Sequence, residues 1–164
     1  MEKGASQMER FIGWFVEPIE LLKRELPEGD GAFITLSTAI FLCERYYRAL
    51  TNTLYRKRDN AFKIEAAKDL GISPDVFKCF WRVYRDGVQH QGTPKVYFDK
   101  KTNIKYIWEI TNEIEGIVEL CKKDDFKIEI RLDVWKFADF IFDKFKTNSE
   151  VFQKAISSSF PTIL

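Results

Sequence analysis

Apolar residues recur at helical spacing along most of this chain, and the places where the rhythm breaks divide it into segments. From Ser6 to Leu26 they fall at Phe11, Trp14, Phe15, Ile19, Leu22 and Leu26, one face of an amphipathic helix. Pro18 lies inside that run and should kink or split it, because proline removes a hydrogen bond and clashes with the carbonyl one turn back. Pro27-Glu28-Gly29-Asp30-Gly31 supplies a turn. A second helix is predicted from Ala32 to about Lys57, with Phe33, Leu36, Ile40, Tyr47, Leu50 and Leu54 on one side. A third runs from Asn60 to Leu70 and ends at Gly71, where a terminating glycine belongs. Ser73-Pro74-Asp75 opens a fourth, joining a capping hydroxyl, a proline at the first helical position and an acid near the positive end of the dipole. Its buried stripe is Phe77, Phe80 or Trp81, Tyr84 and Val88, which leaves Arg82, Arg85 and Gln89 on an adjoining polar stripe.

After Gly92-Thr93-Pro94 the period changes. Val96-Tyr97-Phe98 and the run from Ile104 to Ile110 flank a polar stretch and predict a β-hairpin, and Phe126 to Leu132 alternates as a third strand would. A small antiparallel sheet, appended to the helices, is the expectation; Glu113 to Lys123 fits either helix or strand. Asp133 then caps a helix to about Lys146, with Val134, Phe137, Ala138, Ile141 and Phe145 inward, and a short helix covers Ser149 to Ile156. Phe160 to Leu164 has no period. The predicted fold is mainly α, with a helical core over about 6–92, a β elaboration over about 95–132 and carboxyl-terminal helices over about 133–158, in one domain.

Composition sharpens this picture in three ways. The 164 residues include fifteen Phe, enough for a phenylalanine-rich core. The 26 basic and 25 acidic residues nearly cancel, so any electrostatic site must be local. Three cysteines, Cys43, Cys79 and Cys121, with a single histidine support neither a disulfide framework nor a zinc site; buried reduced thiols are expected, and no metal or cofactor. No apolar run approaches the roughly 20 residues of a membrane span. Met1 to Ser6 leads into Glu9 and Arg10 rather than an apolar leader, so the expected location is cytoplasmic, away from membranes.

Candidate chemistry gathers around the one histidine, in Arg85-Asp86-Gly87-Val88-Gln89-His90. Histidine alone has an unperturbed pKa, about 6.5, suited to acid and base roles near neutrality. Asp86 precedes His90 by four residues, which on a helix places the carboxylate where it can orient the ring. Arg85 lies five residues from His90, about 140° round an ideal helix, so the two share a site only between the stripes or where Gly87 or the helix end re-aims the histidine. Arginine's planar donor fork suits phosphate. From Val76 to Phe98 the cations Lys78, Arg82, Arg85 and Lys95 face the single acid Asp86, a local attraction for a polyanion. Tyr84, Trp81 and Tyr97 are stacking candidates whose more common use is core packing. Arg45 and Arg48 on the second helix can face a cleft, and Glu44 beside them is a candidate partner for Arg85. Arg56-Lys57-Arg58 is read as a solvated helix end.

The arginine, the polar residue, the three variable positions and the histidine of Arg85 to His90 resemble the motif of the HEPN superfamily, the higher eukaryotes and prokaryotes nucleotide-binding domains. The likeness spans the motif and its helical setting, roughly Ala32 to Gly92. It implies an all-helical bundle and a metal-independent endoribonuclease of a toxin or defence system. It further implies His90 assisting attack of an RNA 2′-hydroxyl, Arg85 binding the phosphate, and Asp86 tuning His90. Arg82, Gln89, Lys95, Arg45 and Arg48 are the accompanying candidates for RNA contact. Members silenced by modification carry a tyrosine two residues after the histidine; Gly92 stands there, which argues against that control. With one imidazole per chain, a homodimer with a composite cleft is expected, as in HEPN nucleases, and an antitoxin or regulatory protein is a further expected partner class. Two other readings stay open: an RNA- or nucleotide-binding domain of this type that does not cut, and a helical protein-interaction scaffold.

Overall fold

The structure, a computed structural model, describes residues 6–55 and 60–157. Helix α1 spans residues 7–25, starting at Ser6, whose hydroxyl and backbone form a capping box with Glu9. Pro18 does not split it. The turn Ile12–Val16 widens to π geometry, and the proline then sits in the first turn of the α segment Glu17–Glu25, where its missing N–H does no harm. Helix α2 (Ala32–Leu50) ends about seven residues before the predicted end. Asn52 takes a left-handed φ of 55°, and the N–H groups of Thr53 and Asn52 bond the carbonyls of Arg48 and Ala49, a Schellman ending built on asparagine instead of glycine. Phe33 and Leu50, expected inside, are partly exposed. Helix α3 (Ala61–Asp69) ends the same way at Gly71, as predicted.

Helix α4 covers residues 74–91, and the Ser73 hydroxyl accepts from the N–H of Val76 at 3.2 Å. Of the predicted stripe, Phe77, Phe80, Trp81 and Tyr84 are buried and Val88 is partly buried. A second π turn, Trp81–Arg85, interrupts it just before the motif, with the N–H of Asp86 reaching back to the Trp81 carbonyl. After Gly92, at φ 76°, the chain turns back across α4, and the N–H of Lys95 bonds the Val83 carbonyl at 2.9 Å. This crossing requires Gly87: a Cβ there would lie 2.5 Å from the Lys95 nitrogen and 2.7 Å from the Thr93 oxygen.

The chain then forms β1 (Tyr97–Asp99), β2 (Ile104–Ile110), β3 (Val118–Asp124) and β4 (Lys127–Leu132) in the order β1-β2-β4-β3. The β1–β2 hairpin and the predicted third strand are present, and part of the ambiguous stretch is β3. The sheet is mixed rather than antiparallel. The β3–β4 hairpin returns β4 beside β2, which makes the central pair parallel, with Trp108 opposite Ile130. Nor is the sheet an appendage. Ile130 and Leu132 are fully buried in the same core as the helices, and the Tyr84 hydroxyl bridges α4 to the sheet by donating towards the carbonyls of Ile130 (2.6 Å) and Glu109 (2.9 Å).

Asp133 accepts from the N–H groups of Trp135 and Lys136 and caps α5 (Val134–Thr147), whose five predicted core residues are all buried. Helix α6, residues 149–157, closes the described chain and ends in π geometry. Phe11, Tyr46, Phe145 and Phe152 form one aromatic cluster at the junction of α1, α2, α5 and α6. Thus the fold is mainly helical with a four-stranded sheet. Among the described residues no helix is long and apolar enough to cross a membrane. Arg56-Lys57-Arg58 and Phe160 to Leu164 lie outside the described residues.

Candidate functional site

Helices α2 and α4 face each other through a chain of charges. Arg85 donates from Nε (3.3 Å) and Nη2 (3.2 Å) to Glu44 Oε2, while Arg48 Nε donates to Glu44 Oε1 at 2.9 Å. Arg85 Nη1 also donates to Asp86 Oδ1 at 3.3 Å, and Arg82 Nη1 to Asp86 Oδ2 at 3.1 Å. Two carboxylates therefore hold three guanidiniums, and the partnership expected of Glu44 is present. The Arg48 guanidinium also lies 4.3 Å over the ring of Phe62, which fixes its plane.

This chain of charges is the common wall of three open clefts. The largest, about 560 Å³, is lined by Phe41, Glu44, Arg45, Arg48, Leu54, Tyr55 and Arg85. Phe41 (60% exposed) and Tyr55 (86%) present rings beside the guanidiniums, an arrangement suited to stacking an unpaired base next to a phosphate. Arg45 is anchored here, its Nε donating to the Ala155 carbonyl at 2.7 Å. A polar cleft of about 220 Å³ lies between α2, α3 and α4 and adds Lys63, Lys78 and Arg82. The third, about 200 Å³, carries Gln89 beside Arg85 and Phe41.

The predicted residues thus part company. Arg85, Asp86, Arg82, Arg48, Arg45 and Gln89 gather round one wall. Lys95 does not join them; it lies on the segment crossing α4 at Gly87 and lines none of the three clefts. His90 also stands apart, exposed, with no hydrogen bond or ion pair to its side chain among the described residues. The α conformation persists through Gln91, so neither Gly87 nor the helix end re-aims the ring. Asp86 does not orient it either, because both oxygens are engaged by guanidiniums one and four residues before it, which keep their charge when an imidazole is neutral. Trp81 and Tyr84 are core, and Tyr97 stacks on Tyr106.

Sequence reasoning missed Phe41, Tyr55 and Lys63, whereas Lys78 belongs to the basic cluster read from Val76 to Phe98. For Phe41 the signal was available: it falls off the buried spacing of α2, three residues before Glu44. Lys63 arrives from another helix and had none. Cys43 and Cys79 are buried, where burial raises the thiol pKa, and Cys121 is partly exposed. Among the described residues no three His, Cys, Asp or Glu side chains group as metal ligands would. No protein-family model, curated protein or solved structure matches the chain.

Proposed function

We propose that this protein is a metal-independent endoribonuclease of HEPN type, acting as a toxin or defence effector. The observation that carries this reading is Arg85, fixed at the shared wall of clefts that also hold Arg45, Arg48 and Arg82, with an unengaged imidazole five residues on. In the reaction, His90 takes the proton of an RNA 2′-hydroxyl and the oxygen attacks the adjacent phosphorus. The bond to the 5′-oxygen breaks, and that oxygen takes a proton from a second acid. Arg85 stabilises the charge developing on the non-bridging oxygens. Because Arg85 and His90 of one chain do not line one cleft, the second imidazole comes from a second copy in a homodimer. RNA is the substrate, and an antitoxin or regulatory protein is a further partner class.

Purified protein incubated with RNA and excess chelator, beside His90→Ala and Arg85→Ala, tests this. Chelator-resistant cleavage lost in both variants is expected. Cleavage that survives His90→Ala overturns the mechanism, and a monodisperse monomer that cuts RNA overturns the composite site. A second reading, RNA or nucleotide binding without cleavage, is favoured by the charge pairing of Arg85 with Glu44 and Asp86. Binding without cleavage would establish it.

A further inference from the structure

The polar cleft between α2, α3 and α4 has an unbalanced charge inventory. Its carboxylates, Glu44 and Asp86, are both spent on arginines: Glu44 on Arg48 and Arg85, Asp86 on Arg82 and Arg85. Among the described residues Lys63 and Lys78 add two positive charges to this cleft, and neither has an ion-pair partner there. Lys78 is exposed at the rim, one and two turns before Arg82 and Arg85 on the same side of α4. Lys63 is half-buried against the ring of Phe62, so its ammonium is held at the cleft instead of sweeping through solvent. Burial, and then the Arg82 guanidinium, lower the Lys63 pKa from its ordinary value, the mark of a cation placed where an anion would relieve it. The cleft, about 220 Å³, has room for a phosphate group and, unlike its larger neighbour, presents no exposed aromatic ring among the described residues to hold a base.

Resting on the ribonuclease reading above, we infer that this cleft is a second phosphate subsite. Lys63, Lys78 and Arg82 hold a phosphodiester of single-stranded RNA adjacent to the phosphate at Arg85, while the larger cleft takes the base between them. The strand thereby crosses the Glu44–Arg85 wall, which sets its register at the reacting phosphate. A nucleotide's terminal phosphates share the recognised chemistry and are the competing source.

Binding of a short labelled single-stranded RNA is measured by anisotropy in the His90→Ala background, which prevents cutting, across roughly 50–200 mM salt. The Lys63→Gln/Lys78→Gln pair is compared with Lys100→Gln/Lys101→Gln, which removes two exposed charges from the β1–β2 turn. One lost phosphate contact should flatten the slope of log affinity against log salt by about 0.7 and weaken low-salt binding about tenfold, while the control pair retains the parent slope. Equal behaviour of the two pairs overturns the subsite. ATP binding that depends on Lys63 and Lys78, with RNA binding that does not, assigns the cleft to nucleotides and overturns the RNA assignment. In a cleaving wild-type background the Lys63/Lys78 pair should raise KM about tenfold with kcat preserved. A protein that binds RNA in this way yet never cuts it overturns the nuclease reading and leaves the subsite standing.

Discussion

Arg85 and His90 sit five residues apart on one helix, yet their surroundings are opposite. Arg85 is gripped by Glu44 from α2 and Asp86 from its own helix, with Arg48 and Arg82 completing the chain. His90 is exposed and engaged by no side chain among the described residues. The arginine half is prepared before any ligand arrives, and much of the ordering entropy of its guanidinium is spent in folding. The histidine half is not, and on the proposed mechanism the substrate or a second chain must aim that ring.

Substituting the two residues should separate these conditions most sharply. His90→Ala is expected to lower RNA cleavage by about 10³-fold, within the usual range for a lost acid–base group. It should leave thermal unfolding unchanged within about 0.5 kcal/mol, as for a surface position without partners. Arg85→Ala should cost cleavage and also stability, because Glu44 keeps only Arg48. If His90→Ala destabilises the fold as much as Arg85→Ala, the contrast between the two is wrong.

Gly87 lies between them and tests whether they ride on one rigid element. With backbone atoms 2.5–2.8 Å from the site of a Cβ, Gly87→Ala should cost about 3 kcal/mol in denaturant unfolding, the upper end for overpacking. A cost under about 1 kcal/mol would mean that the crossing yields easily. Glu44→Gln is a smaller change. It releases two arginines and should strengthen RNA binding roughly fivefold, about 1 kcal/mol for one charge near the surface. Cleavage should slow at the same time, since Arg85 loses its position; faster cleavage would show that Glu44 restrains the arginine without aiming it.

The weakest effect concerns the anchor of α4 on the sheet. Tyr84→Phe removes the hydroxyl that bonds towards Ile130 and Glu109, worth about 1 kcal/mol. Burial pushes the Tyr84 phenol above its ordinary range, so the unfolded chain ionises first. That contribution is whole below about pH 10 and is lost progressively above it. Melting temperature should therefore fall more steeply above that pH in the wild type than in Tyr84→Phe.

What the sequence made legible followed from local chemistry. Ser73-Pro74, Gly71 and Asp133 sit where short-range rules put helix ends, and the structure uses each of them. The end of α2 escaped because asparagine, not glycine, took the left-handed position. The parallel pairing of β2 and β4 depends on where a distant hairpin lands, which no local period encodes. In the site, the spacing of Arg82, Arg85 and Asp86 on one helix was readable, but which partner Asp86 takes is a competition that spacing alone does not decide. Lys63 and Tyr55 reach the wall from outside α4, and only the tertiary arrangement brings them there.

The widened turn at Trp81–Arg85 carries a consequence for how this chain tolerates change in length. One additional residue in a turn sets everything after it back by about 100° relative to an uninterrupted α-helix. The aromatic half of α4 and its charged half are therefore keyed to different angular frames, joined by that single residue. Deleting Val83 and allowing the helix to close into regular geometry would keep every residue of the motif and its internal spacing. It would also leave Arg85 facing Glu44 and Gly87 beneath the crossing segment, because one residue fewer and a turn of ordinary width cancel, whereas a helix that kept every residue and lost the wide turn would swing both away by about 100°.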